Sequence, residues 1–167
     1  MTRTATARTF LLIFATLASP LHAQMPVVTC RATAYTNDPD TKGLNIRSAA
    51  DAKSRVVATI SDSDSQLDIV ASSGDWMRVR TVRSVDGTVA FKGDGWVFAS
   101  LLAVRARGVA LLRTNPERTA PIKARLRDED LLTLRACRGE WLQVKHQAAL
   151  GWVEKSERCG NPVTTCS

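Results

Sequence analysis

The chain has 167 residues, of which 44% are hydrophobic and 5% aromatic, and its formal net charge is +7. This length suits one ordinary domain or two small ones and leaves no room for a separate catalytic domain. The apolar run at residues 10–18, interrupted only by Thr16, is too short to span a bilayer, and no later apolar run is long enough. The lengths of the apolar runs therefore predict no transmembrane segment.

The first 23 residues have the organisation of an export signal. Arg3 and Arg8 precede the apolar run without any acidic residue, and Ala23 supplies the small residue at which a signal peptidase cuts. We expect cleavage after Ala23 and a periplasmic or secreted protein; a membrane-surface anchor or a buried N-terminal helix is the alternative. No cysteine follows the cut directly, which argues against a lipid anchor, and export argues against a nucleic-acid partner.

The positive charge is concentrated in the second half of the mature chain. Loss of Arg3 and Arg8 leaves a net charge of +5. Residues 27–103 hold nine basic and nine acidic residues, whereas residues 104–158 hold twelve basic and seven acidic residues. A basic region in an exported protein predicts an anionic partner such as an envelope polymer, lipid head groups or an acidic protein, although general solubility explains the charge equally well.

All four cysteines lie in the part of the chain that we expect to be exported: Cys30, Cys137, Cys159 and Cys166. An even number in an oxidising compartment favours two disulfides, for which three connectivities exist. We favour Cys137 with Cys159, which leaves Cys30 with Cys166 and makes residues 160–167 a tethered tail. Zinc is the weaker hypothesis because the chain has no Cys-x-x-Cys pair and the mature part has one histidine, His146. No metal or cofactor is predicted.

Short strands separated by polar turns account for the first half of the chain. A loop rich in turn formers, which includes Asp38 and Asp40, occupies residues 36–43. Asp86-Gly87 predicts a hairpin arm over residues 82–91 that ends at residues 93–95. The predicted strands cover residues 32–35, 44–47, 56–60, 67–71, 76–80 and 95–98.

The second half repeats this order. Leu132, Leu134 and Ala136 follow Leu67, Ile69 and Ala71 at a constant offset of 65 residues. The segment Gly74-Asp75-Trp76 recurs as Gly139-Glu140-Trp141. Arg47 precedes Trp76 by 29 residues, and Arg113 precedes Trp141 by 28. The repeat predicts an all-β fold of two tandem small antiparallel barrels, over residues 27–103 and 104–159. Residues 104–108 are too few for a free linker, so we expect the two units to pack together.

Three motifs of the first copy resemble those of bacterial SH3-like domains: Leu44-Asn45-Ile46-Arg47, Gly74-Asp75-Trp76 and Gly95-Trp96-Val97. The second copy is more degenerate, since it lacks the asparagine before Arg113 and has a shorter last hairpin. The resemblance implies five-stranded SH3-like β-barrels, which are common in exported envelope proteins, bind peptidoglycan or proteins, and have no catalytic activity of their own.

The resemblance also implies a shallow ligand groove lined by Tyr35, Trp76, Phe98 and Leu101. Strand alternation independently places Trp76, Trp96 and Phe98 on the face opposite the core residues Met77 and Val79. Arg78 lies on the same face of its strand and could bind carboxylates. The matching positions of the second copy are Trp141, Glu154 and Glu157, so little of an apolar groove is expected there. Alternatively, Trp76 is structural and packs beneath the hairpin arm.

These features favour a non-catalytic exported binding module that engages peptidoglycan or an envelope protein through the aromatic face of the first copy. The alternatives are a periplasmic regulator, inhibitor or immunity-type protein that blocks a partner enzyme, and a component of a larger envelope assembly. Catalysis by cysteine would require Cys137 with His146, but Cys137 ends a strand and no helix N-terminus activates it. The sequence leaves the oligomeric state open.

Overall fold

The computed structural model describes residues 25–161, which form an almost entirely β structure. The expected export signal at residues 1–23 and Cys166 lie outside these residues. Two 3₁₀ turns, Ala99–Leu101 and Lys155–Glu157, are the helical elements among the described residues, and no helix there is long and apolar enough to cross a membrane. The strands are β1 Val28–Thr36, β2 Leu44–Arg47, β3 Val56–Ile60, β4 Gln66–Ser73, β5 Trp76–Arg83, β6 Val89–Phe98, β7 Leu102–Ala106, β8 Ala110–Arg113, β9 Ile122–Leu126, β10 Leu131–Arg138, β11 Trp141–His146, β12 Ala149–Glu154 and β13 Arg158–Cys159.

The strand order shows the internal repeat directly. Strands β3-β2-β6-β5-β4 form the first unit, and β10-β11-β12-β8-β9 form the second unit in the reverse spatial order. Strands β1 and β7 lie between them, and β13 pairs with the C-terminal end of β7, at Arg105 and Ala106. The prediction of an all-β fold with two five-stranded units is confirmed, although no ladder among the described residues closes either sheet into a hydrogen-bonded barrel.

Strand alternation determines which face of each tryptophan strand enters the core. Met77 and Val79 are fully buried in the first unit, as are Leu142 and Val144 in the second. Their neighbours Trp76 and Trp141 remain partly exposed. Because successive side chains of a strand point to opposite faces, the tryptophans lie on the outer surface, as the sequence pattern predicts.

The glycine of the Gly-Trp-Val motif is required by packing between two strands. A methyl group added at Gly95 would lie 2.2 Å from Cγ2 of Ile46 on β2. At the equivalent Gly151, it would lie 2.6 Å from Cγ of Leu112 on β8. Both glycines are buried, so the close approach of these strands leaves no space for a side chain.

Strand β7 joins the two units. Leu102, Ala103, Val104 and Ala106 are fully buried, and the strand pairs with β1, β10 and β13. Residues 104–108 were expected to be too few for a free linker. The first three of them belong to β7, which both units share. The two units pack together as expected, and the buried apolar residues of both form one continuous core.

The predicted disulfide pairing is wrong. Cys30 on β1 pairs with Cys137 on β10, with a Cα–Cα distance of 5.8 Å. Cys159 is also disulfide-bonded, and the one cysteine then remaining in the sequence, Cys166, lies outside the described residues. The prediction assumed that Cys137 is linked to the C-terminal end of its own unit, whereas the packing of the units brings the end of β10 against the start of β1.

Backbone hydrogen bonds surround this disulfide. The Arg31 amide donates to the Gly139 carbonyl at 2.8 Å, and the Gly139 amide donates to the Thr29 carbonyl at 3.0 Å. The buried Ser72 hydroxyl accepts from the Cys137 amide and donates to the Cys137 carbonyl, both at 3.1 Å. The disulfide thus fixes a contact that strands of both units already make.

The hairpin arm extends further than the sequence predicts. Strand β6 continues through residues 93–95, where we expected the arm to end. At the turn, Asp86 accepts hydrogen bonds from the amide and hydroxyl of Thr88, which hold the pKa of its carboxyl below the usual value. Val85 and Val89 are 55% and 51% exposed, so the tip presents two apolar side chains beside the polar Asp86 and Thr88.

Substitution of Gly95 tests the close approach of β2 and β6. We expect Gly95→Ala to lower the free energy of unfolding by about 1–3 kcal/mol, because the new methyl overlaps Ile46. Ile46→Leu removes the Cγ2 branch, so the double variant should lose less stability than the sum of the single changes. Urea denaturation of the four proteins measures this coupling; additive losses would contradict the packing explanation.

Removal of the inter-unit disulfide should destabilise the whole molecule. The bridge closes a segment of 107 residues, and loss of a native disulfide costs about 2–5 kcal/mol. We expect Cys30→Ser with Cys137→Ser to lower the unfolding midpoint in urea by a corresponding amount. Non-reducing peptide mapping of the parent protein should recover Cys30 and Cys137 in one linked peptide, and a peptide linking Cys137 to Cys159 would contradict the structure.

Candidate functional site

A groove of about 700 Å³ lies on the outer face of the first unit. Its floor contains three aromatic residues that the sequence placed on that face, Trp76, Trp96 and Phe98. The start of the described chain and the loop after β2 supply the walls. The remaining lining residues are Met25, Val27, Ser48, Ala49, Ala50, Asp51, Ser73, Gly74 and Asp75.

The aromatic residues are aligned by the pairing of β5 with β6. Trp76 lies opposite Phe98, with ring centroids 5.4 Å apart and ring planes inclined at 73°. This edge-to-face geometry is a favourable one for aromatic pairs. All three aromatic side chains are partly exposed, so they offer ring surface to a ligand while remaining fixed by one another and by the sheet.

One wall of the groove is the loop of residues 48–51, which is held in place by Arg47. The Arg47 guanidinium donates to the Ser54 carbonyl at 2.8 Å and so spans the loop. In the second unit, Arg113 donates to the Ala120 carbonyl, also seven residues later, at 3.1 Å. The arginine of the repeated motif therefore has the same structural role in both copies.

The other wall is the first described segment of the chain, which includes Met25 and Val27. The Ser73 hydroxyl donates to the Met25 carbonyl at 2.8 Å. The Met25 side chain packs beside Gly74, whose φ of +54° lies in the left-handed region that favours glycine. This wall could not be predicted, because residues 25–27 have neither a motif nor a periodic pattern.

The polar rim of the groove is acidic. Asp51 and Asp75 are the charged residues among those that line it, and no lysine or arginine does. Such a groove favours a neutral or amine-bearing ligand over an anion. An anionic partner, which the net charge predicts, would therefore have to bind elsewhere.

Three other residues predicted for this groove lie outside it. Tyr35 is 4% exposed and pairs with Ala103 of β7, and burial raises the pKa of its hydroxyl. Leu101 packs against the core from the turn before β7. Arg78 forms an ion pair with Asp94 at 3.2 Å. The resemblance did not place Tyr35 and Leu101 correctly because β1 and β7 form the junction with the second unit.

The equivalent surface of the second unit carries an ion pair. Trp141 lies opposite Glu154, where the first unit has Trp76 opposite Phe98. Arg118 donates through Nε to both carboxylate oxygens of Glu154 at 3.0 Å, and this pairing raises the pKa of Arg118. The exchange of a ring for a carboxylate with its guanidinium partner removes the apolar groove, in agreement with the sequence-based expectation for this copy.

The cysteines and the histidine considered for catalysis make other contacts in the structure. The sulfur atoms of Cys30, Cys137 and Cys159 are in disulfides. Nε2 of His146 lies 3.6 Å from a carboxylate oxygen of Asp130, and Nδ1 lies 3.3 Å from the Leu131 carbonyl. Within residues 25–161, no group of three or more histidine, cysteine, aspartate or glutamate residues is placed to hold a metal ion. Because the Cys137 sulfur is in a disulfide, it is not available as a nucleophile for His146.

Family comparison identifies the class of the protein. Residues 42–103 match one model described as a bacterial SH3 domain, and residues 106–158 match a second model of the same description. The two matches together cover more than half of the chain, which therefore belongs to the bacterial SH3 domain family as a tandem pair. Tandem domains of this type are typically non-catalytic binding modules.

Comparison with individual proteins adds little beyond the family. No curated protein matches the chain. A solved structure of NlpC2 from Trichomonas vaginalis is similar at a TM-score of 0.33 and 11% identity, over 78% of this chain and 48% of that one. NlpC1 from the same organism has a TM-score of 0.32 and 13% identity, over 89% and 50%. The chain spans about half the length of these two proteins, and likeness at this level carries no functional argument.

Weakening the loop contact of Arg47 should destabilise the groove wall. Arg47→Lys keeps the charge but loses the planar guanidinium that reaches the Ser54 carbonyl. Because hydrogen bonds from charged groups contribute about 1.5–3 kcal/mol, we expect the free energy of unfolding to fall by up to that amount. Hydrogen exchange should show faster exchange at residues 48–54. Arg80→Lys, at an exposed position of β5, is the control and should leave both measurements unchanged.

Proposed function

We propose that this protein is an exported, non-catalytic binding module of the bacterial cell envelope. It engages peptidoglycan or an envelope protein through the groove of the first SH3 unit. The observation that carries the proposal is the open groove in which Trp76, Trp96 and Phe98 present their rings. The expected signal at residues 1–23 and the disulfide between Cys30 and Cys137 support an oxidising, extracytoplasmic location.

The chemistry of the groove favours a ligand with flat apolar faces and amino groups. Aromatic rings provide large contact areas at little cost in side-chain entropy, which suits sugar rings and extended peptides. The carboxylates of Asp51 and Asp75 at the rim add attraction for amines. A glycan substituted with peptides offers both features, as does a basic segment of an envelope protein.

The hairpin arm supports a second candidate function. Val85 and Val89 are exposed at its tip, and a hairpin that presents two apolar side chains is suited to contacting a cleft of another protein. In this alternative the protein is a periplasmic regulator, inhibitor or immunity-type protein that blocks a partner enzyme. The groove would then have no part in recognition.

Sedimentation with purified cell-wall sacculi tests the groove. We expect the protein to pellet with sacculi and Trp76→Ala to weaken this binding by about tenfold or more, as expected for a buried aromatic anchor at an interface. Trp141→Ala is the matched control, because it removes the equivalent ring of the unit without a groove, and it should bind normally. Circular dichroism must show that both variants are folded.

The remaining outcomes separate the alternatives. Equal binding by the parent protein and Trp76→Ala would contradict recognition through the groove. No binding to sacculi, together with capture of one envelope enzyme that Val89→Asp abolishes, would favour the inhibitor. Stable co-purification with several subunits that persists in Trp76→Ala would indicate a structural component of an envelope assembly.

A further inference from the structure

A second cleft, of about 510 Å³, lies where the two units meet. Strands β1 and β4 of the N-terminal half form one side, with Arg31 at its edge. The end of the second unit forms the other side, which includes Lys155 and Arg158. The other lining residues are Ala32, Thr33, Asp68, Ile69, Val70 and Gly160.

Arg158 is a buried cation without a carboxylate partner. It is 8% exposed, and its guanidinium donates to the backbone carbonyl of Glu140 at 3.2 Å. Its Nε is buried without a hydrogen-bond partner among the described residues, and no carboxylate there lies within ion-pair distance. Burial lowers the pKa of Arg158 to about 10, so the side chain is still charged at neutral pH. Buried charges are normally paired, whereas Arg158 has no direct ion pair among the described residues, and the attraction of the Glu140 charge only partly offsets its burial.

The carboxylates near the cleft are already engaged by other cations. Glu140 forms an ion pair with Lys155 at 3.0 Å, and Asp68 forms one with Arg83 at 2.8 Å. Arg31 is exposed at the edge of the cleft, and among residues 25–161 its side chain forms no ion pair. The cleft therefore keeps positive charge that its own acidic residues do not neutralise.

We propose that this inter-unit cleft binds an oxyanion, a carboxylate or phosphate group, through Arg31 and Arg158, with Lys155 shared between the anion and Glu140. Guanidinium groups match the planar geometry of these anions, and a partly desolvated site strengthens their attraction. The anionic ligand predicted by the net charge thus has a site apart from the acidic aromatic groove. Because the cleft has walls from both units, a bound anion would also stabilise their packing.

NMR titration of the full mature chain tests this site directly, since the Nε–H of Arg158 and the backbone amides of residues 31–33 report on it. The probes are inorganic phosphate and N-acetyl-alanine, with N-acetyl-alaninamide and sodium chloride at equal ionic strength as controls. We expect saturable shifts of these signals with at least one of the two anions and none with the amide or chloride. A response to phosphate alone supports a phosphodiester source, and a response to N-acetyl-alanine alone supports a peptide carboxylate.

Exposed residues provide variants that leave the core intact. Arg31→Gln with Lys155→Gln should weaken the anion affinity by about tenfold or more, whereas Arg125→Gln, an exposed change on β9, should not alter it. Trp76→Ala should also leave it unchanged, which makes this result independent of the proposed groove. Shifts that grow linearly with salt and include chloride, or equal affinity in the double variant, would overturn the proposal.

Discussion

The structure depends on the junction at which β1 and β7 join the two five-stranded units into one continuous sheet. A unit of five short strands buries only a modest core, and small domains are correspondingly marginal in stability. Here the buried residues of both units form one cluster, because β7 has fully buried residues and pairs with strands on either side. The disulfide between Cys30 and Cys137 and the paired hydrogen bonds of Ser72 then hold β10 against β1 and β4. The two repeats thus form one continuous sheet and share one interior.

The two copies show which parts of the repeated motif serve folding and which are free to change. The loop-spanning arginine and the glycine before the second tryptophan make the same contacts in both units, so both are explained by packing alone. The position that differs is on the outer face, where Phe98 of the first unit corresponds to Glu154 of the second. The two units thus share their interior contacts and differ at the surface, where the first has an aromatic groove and the second an ion pair.

Local patterns were enough to predict most strands and the outward direction of Trp76, Trp96 and Phe98, because alternation depends only on neighbours in sequence. The features that were missed depend on how the two units meet. Tyr35 and Leu101 lie next to the shared strand instead of the groove, and Cys137 lies beside Cys30 because of the same packing. A resemblance to one SH3-like domain does not show how two such domains pack against each other. The groove wall formed by Met25 and Val27 could not be predicted either, because it results from one hydrogen bond to Ser73 and from contact with Gly74.

That N-terminal wall has a practical consequence for handling the protein. The chain reaches Met25 at the rim of the aromatic surface, so any polypeptide attached ahead of it must start from that rim. An affinity tag or a fluorescent fusion joined directly before Met25 would start beside the rings and would obstruct large polymers sterically. Attachment after Asn161 avoids that rim, because Gly160 lies against Thr33 and lines the inter-unit cleft instead of the groove.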